Sequence, residues 1–248
     1  MHVFLLILYI LGTHLVFGAT RWQDHARRLT GESDSIRNRA LEKMKEMKHL
    51  DIALRDEIKS PPQKKGRLET SHFLAFDVIT SLGRQSLFSD LVSQSLFDET
   101  GYSIHTMNTL LNEKNGLSTI KFYHEQLTSS KVSPATRMAL LDTLGRLGFK
   151  LTNQELKALK KTSSIQEKSS ILSYMRTMAL LKNIPPESDL LFEFLDESSV
   201  ELKMQSLFLS EELRKNKGRA FINAFPDCQK QALPEVKEYC LKIAGIKN

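Results

Sequence analysis

The chain is short of the residues that mark the more specialised protein classes. Two cysteines among 248 residues exclude a disulfide-built miniprotein and a four-cysteine zinc module. Only 7 prolines and 11 glycines exclude a collagen-like or low-complexity chain. Neither sign of charge dominates. The 35 basic residues against 29 acidic ones leave +6, a mild surplus rather than a nucleic-acid-binding arm. No segment after the N-terminus approaches 18 apolar residues, so the mature chain is expected to be soluble. What remains is an ordinary globular composition, 41% apolar and 26% charged, enough for one large domain or two small ones.

The N-terminus gives an address. Val3 to Phe17 are apolar except for Gly12, Thr13 and His14. Small or short residues at −1 and −3 suit signal peptidase, and cutting after Gly18 places Gly18 and Val16 there. The stretch is short for a membrane span of about 20 residues. A cleaved signal peptide over 1–18 and an exported, periplasmic or secreted mature chain are therefore expected, although the n-region carries no Lys or Arg. An uncleaved anchor is the alternative.

Export places the cysteines in oxidising surroundings. On one continuous helix Cys228 and Cys240 would stand about 18 Å apart, beyond disulfide reach. Leu233-Pro234 interrupts that path, because Pro ends one helix and suits the first turn of the next. A turn there allows the sulfurs to meet. A Cys228–Cys240 disulfide is expected, with two buried thiols as the alternative.

Residues 21–34 are polar and charged, and loose order is expected there apart from Trp22. One amphipathic helix is expected from Ser33 or Asp34 to about Lys59. Its stripe is Ile36, Ala40, Met44, Met47, Leu50, Leu54 and Ile58, at steps of three and four. Ser60 to Arg67, with tandem Pro and Lys-Lys-Gly, reads as a linker. Residues 19–67 thus form an N-terminal segment, and 68–248 a second region. The charge is unevenly spread: +5 over 21–67, −3 over 68–132 and +4 over 133–248.

From residue 68 the pattern is helical throughout, with turn signals every 12 to 18 residues. Offsets of 31, 35 and 34 residues align Pro134, Ile165, Val200 and Pro234. The fourth column of that alignment is Arg137, Lys168, Lys203 and Lys237. The eighth is Leu141, Leu172, Leu207 and Leu241. The leucines are expected to be buried between helices. The bases precede them by four residues, about 40° around a helix, and are expected at the edge of the buried face.

These segments resemble HEAT-like repeats. Ser133 to Gly145 is similar to the second helix of such a repeat, with a Pro near its start, a base one turn in and Leu-Gly at its end. The likeness runs over 68–248 and is clearest over 133–248. It fades over 101–131, and periods of 31 to 35 are short for the family. It implies an all-α fold, a right-handed solenoid-like stack of helical hairpins behind the N-terminal amphipathic helix. Such stacks offer extended surfaces to partners.

The search for chemistry returns little. His-Glu-x-x-His, Gly-x-Ser-x-Gly, Gly-x-Gly-x-x-Gly and P-loop patterns are absent. No two histidines of the mature chain lie three or four residues apart, so no helical metal pair is formed. Ser118-Thr119-Ile120-Lys121 matches Ser-x-x-Lys, a match expected by chance in a chain rich in Ser and Lys. His124-Glu125 reads as a helix-surface pair.

The expectation is an exported, non-catalytic binding or scaffold protein, with no cofactor and with another protein as partner. The basic column Arg137, Lys168, Lys203 and Lys237 is the candidate binding ladder. The basic N-terminal helix offers a second contact, to anionic lipid or polysaccharide. Nucleic acid is not expected as a partner. The alternatives are an exported enzyme whose site is assembled from dispersed residues, or a binder of anionic polymers.

Overall fold

The computed structural model describes residues 22–30, 33–60, 68–112, 115–129, 131–218 and 226–245. Residues 1–18, where a signal peptide is expected, and most of the expected linker over 60–67 lie outside them. The described residues are helical and contain no strand. None of their helices is long and apolar enough to cross a membrane. The chain divides into a first unit up to Gly116 and a second from Leu117.

The first unit begins with a helical turn over 22–26 rather than loose chain. Trp22 and Ala26 are buried, and Gln23 reaches Glu57. The single helix expected over 33–59 is instead two, α1 (Asp34–Lys45) and α2 (Leu50–Lys59). His49 sits between them in the left-handed region at φ 63°. That conformation is uncommon for any residue but Gly, and although His adopts it more readily than most, a single His is too weak a signal to announce the break. Ala40, Met44, Leu50, Leu54 and Ile58 are buried as the stripe required, whereas Ile36 is 48% exposed. The bases Arg37, Arg39, Lys43, Lys45 and Lys48 are all exposed. Two are drawn to acids one turn away, Arg37 to Asp34 and Lys45 to Glu42.

Helices α3 (Thr70–Ser81), α4 (Phe88–Ser95) and α5 (Tyr102–Met107) complete this unit. α2 packs on α3 and α4, and α5 packs on both. Asp90 draws Arg55 to 3.1 Å and Lys59 to 3.0 Å, which ties the end of α2 to α4. Buried His72 accepts from the Glu69 N–H through Nδ1, while its Nε2 lies 3.1 Å from the Ser60 carbonyl. It therefore joins Ser60, just after α2, to Glu69, just before α3.

In the second unit the helices are α6 (Gly116–Gln126), α7 (Pro134–Leu147), α8 (Asn153–Thr162), α9 (Ile165–Leu181), α10 (Ser188–Phe192), α11 (Val200–Lys217) and α12 (Pro234–Ala244). Their ends follow from short polar signals. Ser133, Thr152, Ser164 and Ser199 are N-caps whose hydroxyls accept from backbone N–H groups of the first turn. Glu155 and Glu167 complete capping boxes with Thr152 and Ser164. Pro134 and Pro234 open α7 and α12. Gly148 closes α7 at φ 77°.

α9 packs against α7 on one side and α11 on the other, and α11 against α12. α8 packs on α9, and α10 with the turn Glu193–Asp196 packs on α11. Gly145 marks the closest approach of α7 to α9. A Cβ there would stand 3.1 Å from the Tyr174 ring. Tyr174 also donates to the Phe149 carbonyl at 2.6 Å and accepts from the Leu151 N–H at 2.8 Å, pinning the loop after α7. Burial pushes its hydroxyl up to about 12.

Cys228 and Cys240 are joined in a disulfide, with Cα atoms 5.6 Å apart. Cys228 lies in the turn Cys228–Lys230 rather than in a helix, and the turn packs on α12. The bridge closes a loop of about 13 residues, so its removal should cost roughly 3 kcal/mol in the chain-entropy model. The unreduced, unfolded chain should therefore show no reactive thiol, and reduction should lower the thermal midpoint. Labelling of both cysteines before reduction would contradict the bridge.

Candidate binding surface

Four leucines define the inner side of the surface. Leu141, Leu172, Leu207 and Leu241 lie in the packed series α7, α9, α11 and α12. They are only 1%, 4%, 0% and 4% exposed. The four bases one turn before them, Arg137, Lys168, Lys203 and Lys237, are all half-buried. That is the edge position expected of a charged head on an apolar stem. At the first residue of each helix stand Pro134, Ile165, Val200 and Pro234. All four are exposed, Ile165 and Val200 at 48%.

The four bases differ in what they touch. Arg137 donates through Nε to the Leu127 carbonyl at 2.9 Å and through its other nitrogens to the Val132 carbonyl and to Glu167. Lys168 holds Glu197 at 2.7 Å. Glu197 is shared, since Lys160 approaches it at 3.3 Å and also donates to the Glu193 carbonyl at 2.8 Å. Desolvation is the largest single influence on Glu167 and raises it. The N–H and hydroxyl of Ser164 together with Arg137 outweigh it and leave the carboxyl below its ordinary range. At Glu197 desolvation again pushes up, and Lys168 with Lys160 brings the carboxyl below its ordinary value. Two members of the ladder thus clasp neighbouring segments of the chain itself. Lys203 and Lys237 make no ion pair among the described residues.

Sequence periodicity missed these acids. Glu167 directly precedes its column's base, whereas Glu197 lies six residues before Lys203, so no common offset exposes them. It also paired His124 with the wrong acid. The ring of His124 lies against Phe149, at 4.8 Å between centroids, and its Nε2 is 2.6 Å from Glu155, not Glu125. Ser118 and Lys121 are exposed on α6 and line neither of the cavities described next.

Two cavities stand out among the described residues. One, of about 700 Å³ in the first unit, is lined by Arg27, Glu69, Phe73, Leu74, Asp98 and Glu99 among others. The second, of about 250 Å³, lies beneath Pro185 and Pro186 on an apolar floor that includes Leu156, Met175, Met178 and Leu190. Among the described residues no histidine lines either. No cluster of three or more His, Cys, Asp or Glu among the described residues is arranged to hold a metal ion. No family model, curated protein or solved structure matches the chain.

Proposed function

We propose that this chain is an exported, non-catalytic binding or scaffold protein. Its second unit presents a HEAT-like, solenoid-like stack of helices to an envelope or secreted protein. The observation that carries the reading is the order of packing. α7, α9, α11 and α12 follow one another side by side, each one repeat period further along the chain. α8 packs on α9, and α10 on α11, as hairpin partners do. Small rotations between such layers create a long surface that no single layer has. Buried leucines make the layers cohere, while exposed apolar residues and half-buried bases line the edge.

Photocrosslinking tests this reading. A photoreactive residue replacing Ile165 or Val200 in the full mature chain should give one discrete adduct in the host's secreted or envelope fraction. The same residue at Ile52, which is 55% exposed in the first unit, should give none. An adduct at Ile52 alone, or at no position, would contradict the proposal. Export has its own check. The intact mass of the secreted chain should correspond to a start at Ala19, and a mass retaining residues 1–18 would favour the anchor.

A further inference from the structure

The first two rungs of the basic ladder already carry carboxylates, and the places of those carboxylates can be followed along the stack. Glu167 is the third residue of α9. Glu197 lies two residues before Ser199, the N-cap of α11. The same two places at α12 are held by Val236, its third residue, and Gln231, two before the N-cap Leu233. Neither is charged. From Leu213 to Pro226 the sequence contains no acidic residue. Lys203 finds no acid on its own helix either. The residues three and four positions away are Ser199, Val200, Ser206 and Leu207. For Lys237 they are Leu233, Pro234, Cys240 and Leu241. Each of these lysines shares a helix face with an exposed apolar residue three positions earlier, Val200 or Pro234.

We infer that Lys203 and Lys237, with Val200 and Pro234 beside them, seat an acidic, partly apolar segment of a protein partner. Its carboxylates take the role that Glu167 and Glu197 play at the first two rungs. The inference rests on the scaffold reading and specifies which partner chemistry that surface takes. Packed helices lie about 8–10 Å apart, and a polyproline-II segment rises about 3.1 Å per residue with three residues per turn. Acids at every third residue of such a segment fall on one face about 9 Å apart and match consecutive rungs, and the residues between them meet Val200 and Pro234. That apolar component favours a peptide over a uniformly charged polymer.

A fluorescein-labelled decapeptide with Asp at every third position and Val or Pro between is the probe. Its Asn counterpart is the control. With the full mature chain, the Asp peptide should bind at least about tenfold more tightly than the Asn peptide. Gln231→Glu places a carboxylate where Glu197 stands one helix earlier. It should occupy Lys203 and weaken the Asp peptide about tenfold. The double variant Lys203→Glu/Lys237→Glu should do the same. Arg146→Glu should leave binding unchanged, because that exposed base pairs with Asp142 outside the ladder.

Equal binding of the two peptides, or indifference to Gln231→Glu, overturns the inference. So does displacement of the Asp peptide by a sulfated polysaccharide at lower concentration than by unlabelled peptide. A Val200 adduct whose yield survives the double reversal overturns it while leaving the scaffold reading intact. Absence of any adduct counts against the scaffold reading itself.

Discussion

Replacing Arg137 with methionine is expected to cost about 3–5 kcal/mol of stability, the range for removing one partner of a buried ion pair. Methionine keeps much of the apolar stem, so the loss reports the guanidinium rather than packing. The partner it abandons, Glu167, has a side chain only 4% exposed. The N–H of Ser164 still donates to Glu167 at 2.8 Å, but the other carboxylate oxygen is left in the interior. Arg137 also withdraws from the Leu127 and Val132 carbonyls, loosening the chain that leads into α7. Glu167→Gln should cost less, because the amide oxygen still accepts from Ser164. The double variant should recover part of the Arg137→Met loss, and urea unfolding of the four proteins would measure that coupling.

The pair also carries a pH signature. The Glu167 carboxyl lies below its ordinary value in the folded state. Its contribution to stability is therefore full above the ordinary carboxylate range and fades as pH falls through the depressed folded value. Acid should destabilise the wild-type chain in that window, and Arg137→Met should show a smaller decrement there. A loss below about 1 kcal/mol at neutral pH would contradict the clasp.

Leu207→Ala is expected to cost about 2–5 kcal/mol. Leu207 is fully buried in α11, which packs between α9 and α12, so neighbours on both sides limit collapse of the cavity. Lys203→Ala, one turn earlier on the same helix, should stay within about 0.5 kcal/mol. The contrast between these neighbouring columns tests the alignment itself. Comparable losses would mean that the offsets of 35 and 34 residues had been drawn in the wrong register.

Helix content and the buried leucine column were legible because both depend on local periodicity. Burial recurs with the helical turn, and Ser, Thr, Pro and Gly mark the ends wherever caps are made. The edge position of the bases followed from the same geometry. Their partners did not. Arg137 meets Glu167 30 residues on, in the first turn of α9, and Lys168 meets Glu197 29 residues on, in the connection before α11. Periodicity cannot choose among the acids available at such distances. His49 shows another limit, because a single His is too weak a mark of the left-handed region, yet there it splits a stripe that reads as continuous. Trp22 shows a third. A polar, charged stretch looks loose, yet one large apolar side chain buried to 1% exposure is enough to anchor it. The bridge between Cys228 and Cys240 was legible from Pro234, although the turn holding Cys228 was not.

Hydrogen exchange of the full chain, alone and with the protein captured at Val200, tests most directly whether the edge of the packed helices is the binding surface. Added protection is predicted in the first turns of α11 and α12, around residues 200–203 and 234–237, with little change over α1 to α5. Protection confined to the first unit, or none in α11 and α12, would contradict it.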